Sequence, residues 1–357
     1  MDPTYPLVPI ANFVGCALVM ISLFQLVTRT WNTGVYIFSL WVFLSSLTCA
    51  VNTIIWANDA EDRAPLWCDI SSHIGVLAGV GIPSCSFTIT RRLYKITRLQ
   101  GAMVFRRQRR IELFSELAIC VGVPFVVTGL YYIIQGARYQ VLEELGCSSA
   151  EVISGVSIIL VNSLPILFPI VSLVFYTPSI VYTSYRHRRD MNEYLGSNSR
   201  GLDQSHFYRL LVLGCFDIFI TLPINLASLV LDIISEGRQF TFYQGWTFIH
   251  SDWEPVLIPK SIWSTNKLST LGIYWNQWFS VFFALAFFLL FGLTPESKKG
   301  YRRLLRSLGR PFGAKQEATT LPEALFTSRR GTNATVASNI SNKYGLSLLS
   351  ARKHFSI

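Results

Sequence analysis

Long apolar blocks separated by short polar connections run along most of the chain. An apolar stretch of about 20 residues, rising about 1.5 Å per residue, crosses a hydrocarbon core of about 30 Å. Seven such stretches are present, running roughly from Val8 to Val27, Val35 to Trp56, Ile70 to Thr90, Leu117 to Ile134, Val152 to Thr177, Leu210 to Leu231 and Ile273 to Leu293. The pattern predicts an all-α membrane protein, a seven-transmembrane helix bundle with lipid as its solvent. The first block follows Met1 to Pro6 with no basic segment ahead of it and is long enough to span. It is therefore expected to be the first helix itself and not a cleaved signal peptide.

Charge then orients the bundle. The connection after the third block carries Arg91, Arg92, Lys95, Arg98, Arg106, Arg107, Arg109 and Arg110, and the one after the fifth carries Arg186, Arg188, Arg189 and Arg200. The connections between them hold Asp59, Glu61 and Asp62, then Glu143, Glu144 and Glu151, with a single arginine each, Arg63 and Arg138. Cytoplasmic connections collect Lys and Arg, so this alternation predicts the N-terminus outside and the C-terminus in the cytosol. The stretch PESKKGYRRLLRSLGR after the last block is basic again, and Leu304, Leu305 and Leu308 around Tyr301 suit a short amphipathic helix on the inner leaflet. The expected division is a seven-helix bundle over residues 1–308 and a disordered cytosolic tail over 309–357, rich in Ser, Thr and Asn. The sequons at Asn333 and Asn339 fall in that tail and should stay unglycosylated. The last four residues, HFSI, offer no cysteine for prenylation.

Composition changes the picture only by exclusion. With 51% hydrophobic and 15% charged residues the chain has too little polar surface to wrap soluble domains, which carry about 25% charged residues. The net charge of +10 sits between apolar blocks and not along one basic face, so nucleic acid is not an expected partner. No HExxH helix, phosphate-binding glycine loop, G-x-S-x-G elbow or zinc-spaced Cys/His cluster occurs, so neither catalysis nor a metal or other cofactor is expected. The seventh block has no lysine on which a retinal Schiff base could form.

Several polar residues stand out against the apolar background. Cys68 and Cys147 both fall at predicted outer ends and could pair, tying the top of the third helix to the loop before the fifth. Cys16, Cys49, Cys85, Cys120 and Cys215 fall inside spans and read as small buried hydrophobes. Asp217 lies well inside the sixth block, where a lipid-exposed carboxylate would cost several kcal/mol, so it should face the bundle. It is either a switch or a structural hydrogen bond to a neighbouring helix. Pro223, six residues on, favours a kink in the same helix, although Pro83, Pro124, Pro165 and Pro169 show prolines used freely. His73, about one turn into the third helix, either meets a ligand or bonds a nearby carbonyl. The connection before the last helix is about forty residues long and holds Phe240, Phe242, Tyr243, Trp246, Phe248, Trp253 and Trp263. It is either a lid over an apolar ligand or an interfacial aromatic belt.

Taken in order, these segments form a set of local signatures. LWCDISSHI opens the third helix, an IPxxxxxxxRRL run from Ile82 to Leu93 closes it, and QGARYQVLEELGC fills the second outer connection. Tyr208-Arg209-Leu210 leads into the sixth helix, Asp217 and Pro223 lie within it, and W-x-x-W precedes SVFFALAFFLLFGLTPES and Tyr301. Over roughly residues 5 to 305 the chain resembles the fungal Ste3-type mating-pheromone receptors, seven-helix G-protein-coupled receptors that respond to lipopeptide pheromones. The resemblance implies a farnesylated peptide pheromone bound from outside, a heterotrimeric G protein engaged from inside, membrane lipid around the bundle, and a multi-pass place in the plasma membrane. Homodimerisation is compatible with it.

On this reading the ligand meets His73, Arg138, Tyr139, Glu143, Glu144, Tyr243, Trp253, Tyr274 and Trp275, while Arg91, Arg92, Arg186, Arg188, Arg189 and Arg209 line the G-protein cavity. Binding would shift an existing equilibrium so that the inner part of the sixth helix moves about Pro223 while Asp217 changes partners. The acidic-Arg-Tyr signature of animal rhodopsin-like receptors is absent at the end of the third helix, where Arg91-Arg92-Leu93 stands instead, so the switch must differ. A small seven-helix transporter is the competing class, but it should show repeated halves, and none is evident between the first three and last three spans. A non-signalling scaffold would not need Asp217, the paired outer cysteines or the basic inner surface.

Overall fold

The computed structural model describes residues 5–27, 33–98, 106–183, 201–236, 240–265 and 267–294, together with 297, 298, 300 and 302. Arg186, Arg188, Arg189 and the tail expected over 309–357 lie outside the described residues. Among those described, seven helices are long and apolar enough to cross a membrane. The first three are Leu7–Val27, Thr33–Ile55 and Pro65–Arg98. The fourth runs Arg106–Leu117, passes through a π-helical turn at Ala118–Gly122 and continues as Val123–Tyr131. The fifth combines α-helical Gly155–Ser157 and Ser163–Val171 with π turns at Ile158–Asn162 and Ser172–Tyr176. The sixth is Gly201–Glu236, and the seventh is Lys267–Phe287 with a closing π turn at Phe288–Gly292.

Two helices outrun their apolar blocks. The third has 34 residues and carries Arg91, Arg92 and Lys95 on its last turns, and the sixth has 36 and starts well before Leu210. Hydropathy marks where lipid begins and ends; the helix itself continues because adding a residue to an existing helix is far easier than starting one. The connection before the seventh helix shortens accordingly to residues 237–266. Within this mostly helical chain, that connection and the one before the fifth helix also carry short strands. Strands β1 (Gln140–Leu142), β2 (Gly146–Ser148) and β3 (Val256–Ile258) form a sheet in the order β2-β1-β3. β1 and β2 are an antiparallel hairpin, while β3 lies parallel to β1, pairing Gln140 with Val256 and Leu142 with Ile258.

Prolines explain how the helices grip one another. Pro124 has no N–H, so the Cys120 carbonyl lacks its usual partner four residues on, and the Trp41 indole of the second helix donates to it at 3.1 Å. Pro169 likewise leaves the Pro165 carbonyl without its partner, and Asn225 of the sixth helix reaches it at 3.5 Å. Inside a membrane a freed carbonyl must be satisfied by protein, so Pro124 and Pro169 each create a docking point for a neighbouring helix.

The main core gathers Phe38 and Trp41 of the second helix, Ile82 and Cys85 of the third, Cys120 of the fourth, Leu213 of the sixth, and Phe283 and Phe287 of the seventh. Phe283 meets Phe38 and Phe216 edge-on, with ring centroids 5.6 and 5.5 Å away. Gly81 lets the third helix approach closely: a Cβ there would lie 2.7 Å from the Trp41 indole nitrogen. Phe24, Phe114, Phe175 and Phe219 stand exposed on the outside of the bundle, as lipid-facing side chains must. The sheet lies at one end, called here the hairpin end, and Arg91, Arg92 and Lys95 mark the opposite, basic end.

Candidate functional site

At the hairpin end, buried side chains of the second helix set the base. The Asn52 amide donates to the Cys147 carbonyl at 2.9 Å and accepts from the Trp67 indole at 2.7 Å. Trp56, fully buried, packs with Cys68, Tyr139, Val141 and Cys147. Cys68 and Cys147 are joined in a disulfide, with their Cα atoms 5.1 Å apart. Gly146, at φ +85°, turns the hairpin so tightly over the second helix that a Cβ would sit 2.6 Å from that of Asn52.

Charge pairs fasten the same loop to its neighbours. Arg138 makes a two-pronged bond to Asp69 of the third helix, at 2.9 and 2.6 Å. That hydrogen bonding and charge hold the guanidinium above its ordinary pKa. The Tyr139 hydroxyl donates to Asp62 at 2.9 Å. Burial first, and then the Asp62 carboxylate, push that phenol up to about 12. Glu144 occupies a left-handed conformation at φ 70°, uncommon for a residue with a side chain. Its N–H donates to the Trp56 carbonyl at 2.8 Å and its carboxylate lies 2.6 Å from the Lys260 ammonium. The Glu143 carboxylate accepts from the Lys260 main-chain N–H at 2.7 Å. Lys260 begins the short helix Lys260–Trp263, so this two-carboxylate latch and strand β3 together hold the connection before the seventh helix across the hairpin.

The expected aromatic residues separate into three places. Trp253 stacks on His250 (5.5 Å), His250 on Trp246 (4.1 Å), and Tyr132 at the end of the fourth helix closes the group edge-on. The two His250 ring nitrogens each lie 3.0 Å from a carbonyl oxygen, of Trp246 and of Tyr132; a neutral imidazole donates to one of these, an imidazolium to both. Tyr274 packs against Trp263 with ring centroids 6.1 Å apart, whereas Trp275, on another face of the seventh helix, stacks with exposed Phe282. Tyr243 is exposed in the same connection. His73 turns toward the fourth helix: its Nδ1 lies 2.7 Å from the Asp69 carbonyl and its ring meets Tyr131 edge-on.

Toward the basic end, Arg92 pairs with Glu116 (3.2 Å) and Lys95 with Glu112 (3.3 Å), joining the third helix to the fourth. Arg91 and Arg209 are half-buried. Asp217 is 1% exposed and faces the third helix, near Ser86 and with Thr221 of its own helix alongside; neither carboxylate oxygen makes a well-formed hydrogen bond. The Pro223 side chain faces out of the bundle.

The family model described as Pheromone A receptor matches residues 7–309, from the first helix to beyond the seventh. The chain belongs to the pheromone A receptor family. Its relatives include the "Pheromone B alpha 2 receptor" of Schizophyllum commune, 30% identical over 90% of this chain and 49% of that receptor. "Pheromone receptor 1" of Mycosarcoma maydis is 27% identical over 77% of this chain and 76% of its own length. The "Pheromone a factor receptor" of Saccharomyces cerevisiae is 26% identical over 79% and 58%. The chain spans about half the length of the Schizophyllum receptors that it matches at 29–30% identity. The family is one of receptors and not of enzymes.

Within this pheromone A receptor bundle, Arg138, Tyr139, Glu143 and Glu144 are brought together by the hairpin, while His73, Trp253, Tyr243 and Trp275 point to other neighbourhoods. Sequence reasoning missed Asp62, Asp69 and Lys260, the partners of the first four. Their opposite charge in neighbouring connections was visible, but nothing local said which acid meets which base. It also missed Tyr132 and His250, which flank apolar runs without a distinguishing motif, and Gln277, hidden in the apolar seventh block.

Proposed function

We propose that the chain is a plasma-membrane receptor that binds a farnesylated peptide mating pheromone at the hairpin end and passes the signal to a heterotrimeric G protein at the basic end. The observation that carries this reading is the family match across the whole seven-helix bundle. The Lys/Arg bias supports putting the hairpin end outside and the basic end in the cytosol. The aromatic connection before the seventh helix, latched through Lys260 to Glu143 and Glu144, suits a cover over a ligand with an apolar chain.

Signalling then works as a population shift. Ligand held beneath the cover favours an arrangement in which the inner part of the sixth helix swings about Pro223, and Asp217, lacking a well-formed hydrogen bond in its present position, gains a partner in the other state. Arg91, Arg92 and Arg209 face the G protein. Replacing Arg91 and Arg92 by neutral residues should abolish signalling and leave pheromone binding nearly intact; loss of binding or of surface expression would remove them from that role. Asp217→Asn should alter basal or stimulated signalling, and a variant equal to wild type in both at equal surface expression would make the carboxylate merely structural.

The decisive test is G-protein activation in a yeast reporter strain expressing this chain, challenged with farnesylated fungal pheromone peptides and their unprenylated forms. A response that requires the prenyl group establishes receptor class and ligand chemistry together. Silence to a broad panel, with the receptor at the cell surface beside a compatible G-protein subunit, refutes the reading.

A further inference from the structure

Gln277 is 6% exposed, and neither its amide nitrogen nor its amide oxygen has a hydrogen-bond partner. It lies ten residues into the helix that starts at Lys267, about 15 Å along its axis. It belongs to the buried stripe that continues through Ser280, Val281, Ala284 and Phe287, and so faces the bundle. Asn12 and Cys49 meet its main-chain carbonyl and not its side chain. Asn12 of the first helix donates to the Gln277 main-chain carbonyl at 3.5 Å and accepts from the Ser280 hydroxyl at 2.8 Å. The carboxamide itself is left with one acceptor and two donors unused in a lipid-bounded interior, where such groups are normally paired.

A second unused donor lies one turn nearer the hairpin end. Trp263 is 7% exposed with its indole N–H unpartnered, and its ring packs on Tyr274. Tyr274 precedes Gln277 by three residues and so shares its face of the helix. Trp263 ends the short helix begun by Lys260, so its position depends on the latch to Glu143 and Glu144. Trp263, Tyr274 and Gln277 therefore succeed one another from the cover inward, with an unused donor at the first and an unused donor and acceptor at the last.

We infer that the Gln277 carboxamide pairs with the main-chain N–H and C=O of one extended residue of the ligand, with the Trp263 N–H donating to a neighbouring ligand carbonyl. This rests on the proposed peptide-receptor function and adds the residue that reads the peptide portion. In an extended peptide the N–H and C=O of one residue point to the same side, so a single carboxamide can accept from the first and donate to the second. A prenyl chain offers neither group, and an ester offers an acceptor without a donor.

The test uses the full chain in the yeast reporter with whichever farnesylated peptide of the panel activates the wild type. Gln277→Leu should raise the half-maximal concentration by about tenfold to a hundredfold, the range expected for losing a buried hydrogen-bonded pair, with surface amount and maximal response unchanged. Analogues of that peptide with one backbone amide at a time replaced by an ester should include one that loses a similar factor on the wild type and little more on the Gln277→Leu receptor, the non-additivity expected of direct partners. A purely structural glutamine would leave the analogue series parallel on both receptors. Should Gln277→Leu fail to reach the surface, Gln277→Asn, which draws the carboxamide back by one carbon, carries the same comparison. A responsive wild type with a half-maximal concentration unmoved by the substitution, or a parallel analogue series, overturns this inference alone. A wild type silent to the whole panel overturns the receptor reading beneath it.

Discussion

Trp41→Phe tests whether proline-freed carbonyls hold these helices together. Trp41 is 4% exposed and its indole N–H is the donor for the Cys120 carbonyl, whose i+4 partner is removed by Pro124. Phenylalanine keeps an aromatic ring but no donor, leaving a buried carbonyl unsatisfied at a cost of about 1–3 kcal/mol. The smaller ring adds about 1 kcal/mol of lost packing. The expected total is about 2–4 kcal/mol, summed from those two contributions. Pro124→Ala supplies the missing N–H, so in that background Trp41→Phe should cost only the packing part, a coupling of about 1–3 kcal/mol. The assay is thermal unfolding of the detergent-solubilised protein, read by a thiol-reactive dye on Cys85 and Cys120, both buried. Gly81→Ala attacks the same junction from the third helix, because its Cβ would press on the indole at 2.7 Å. Gly79→Ala, where a Cβ meets nothing within 4 Å, should be neutral or gain up to about 1 kcal/mol. An additive cycle, or equal effects of the two glycine replacements, would refute the account.

Removing the Cys68–Cys147 disulfide, which spans 79 residues, should destabilise the protein by up to about 4 kcal/mol; a reductant should lower the melting temperature of the wild type but not of Cys68→Ser/Cys147→Ser. Asp69→Arg and Arg138→Asp should each reduce the amount of receptor at the cell surface, and the double exchange should restore it, since the two-pronged pair is the only thing the swap conserves; flow cytometry of a tagged chain measures this. Tyr139 holds its proton more tightly in the folded loop than in an unfolded chain, where tyrosine titrates near 10. Its stabilising contribution is therefore complete below about pH 10 and is lost as pH rises through about 12; melting temperatures across that window should fall more steeply for wild type than for Tyr139→Phe.

The seven spans were legible without a structure because lipid forces each segment to satisfy its own backbone, so local hydropathy decides where a helix crosses. The basic clusters were equally plain, since they are properties of consecutive residues. The helix ends were not, because the third and sixth helices continue past the lipid boundary on hydrogen bonds that hydropathy does not record. Nor were the strands: three residues are too few to show alternation, and β3 exists because β1, more than a hundred residues earlier, presents an edge to it. The prolines were visible as prolines, but only packing decided that Trp41 and Asn225 would take up the carbonyls they free. Asp217 could be predicted to face inward from the cost of exposing it, whereas its neighbour Ser86 was set by the way the sixth helix lies on the third. Gln277 looked like one polar residue in an apolar helix, and its unanswered carboxamide emerges only when the surrounding groups are seen to be paired with others. Burial by solvent is local and additive along a chain; the choice of partner is made across the bundle, by side chains that converge only after the helices have packed.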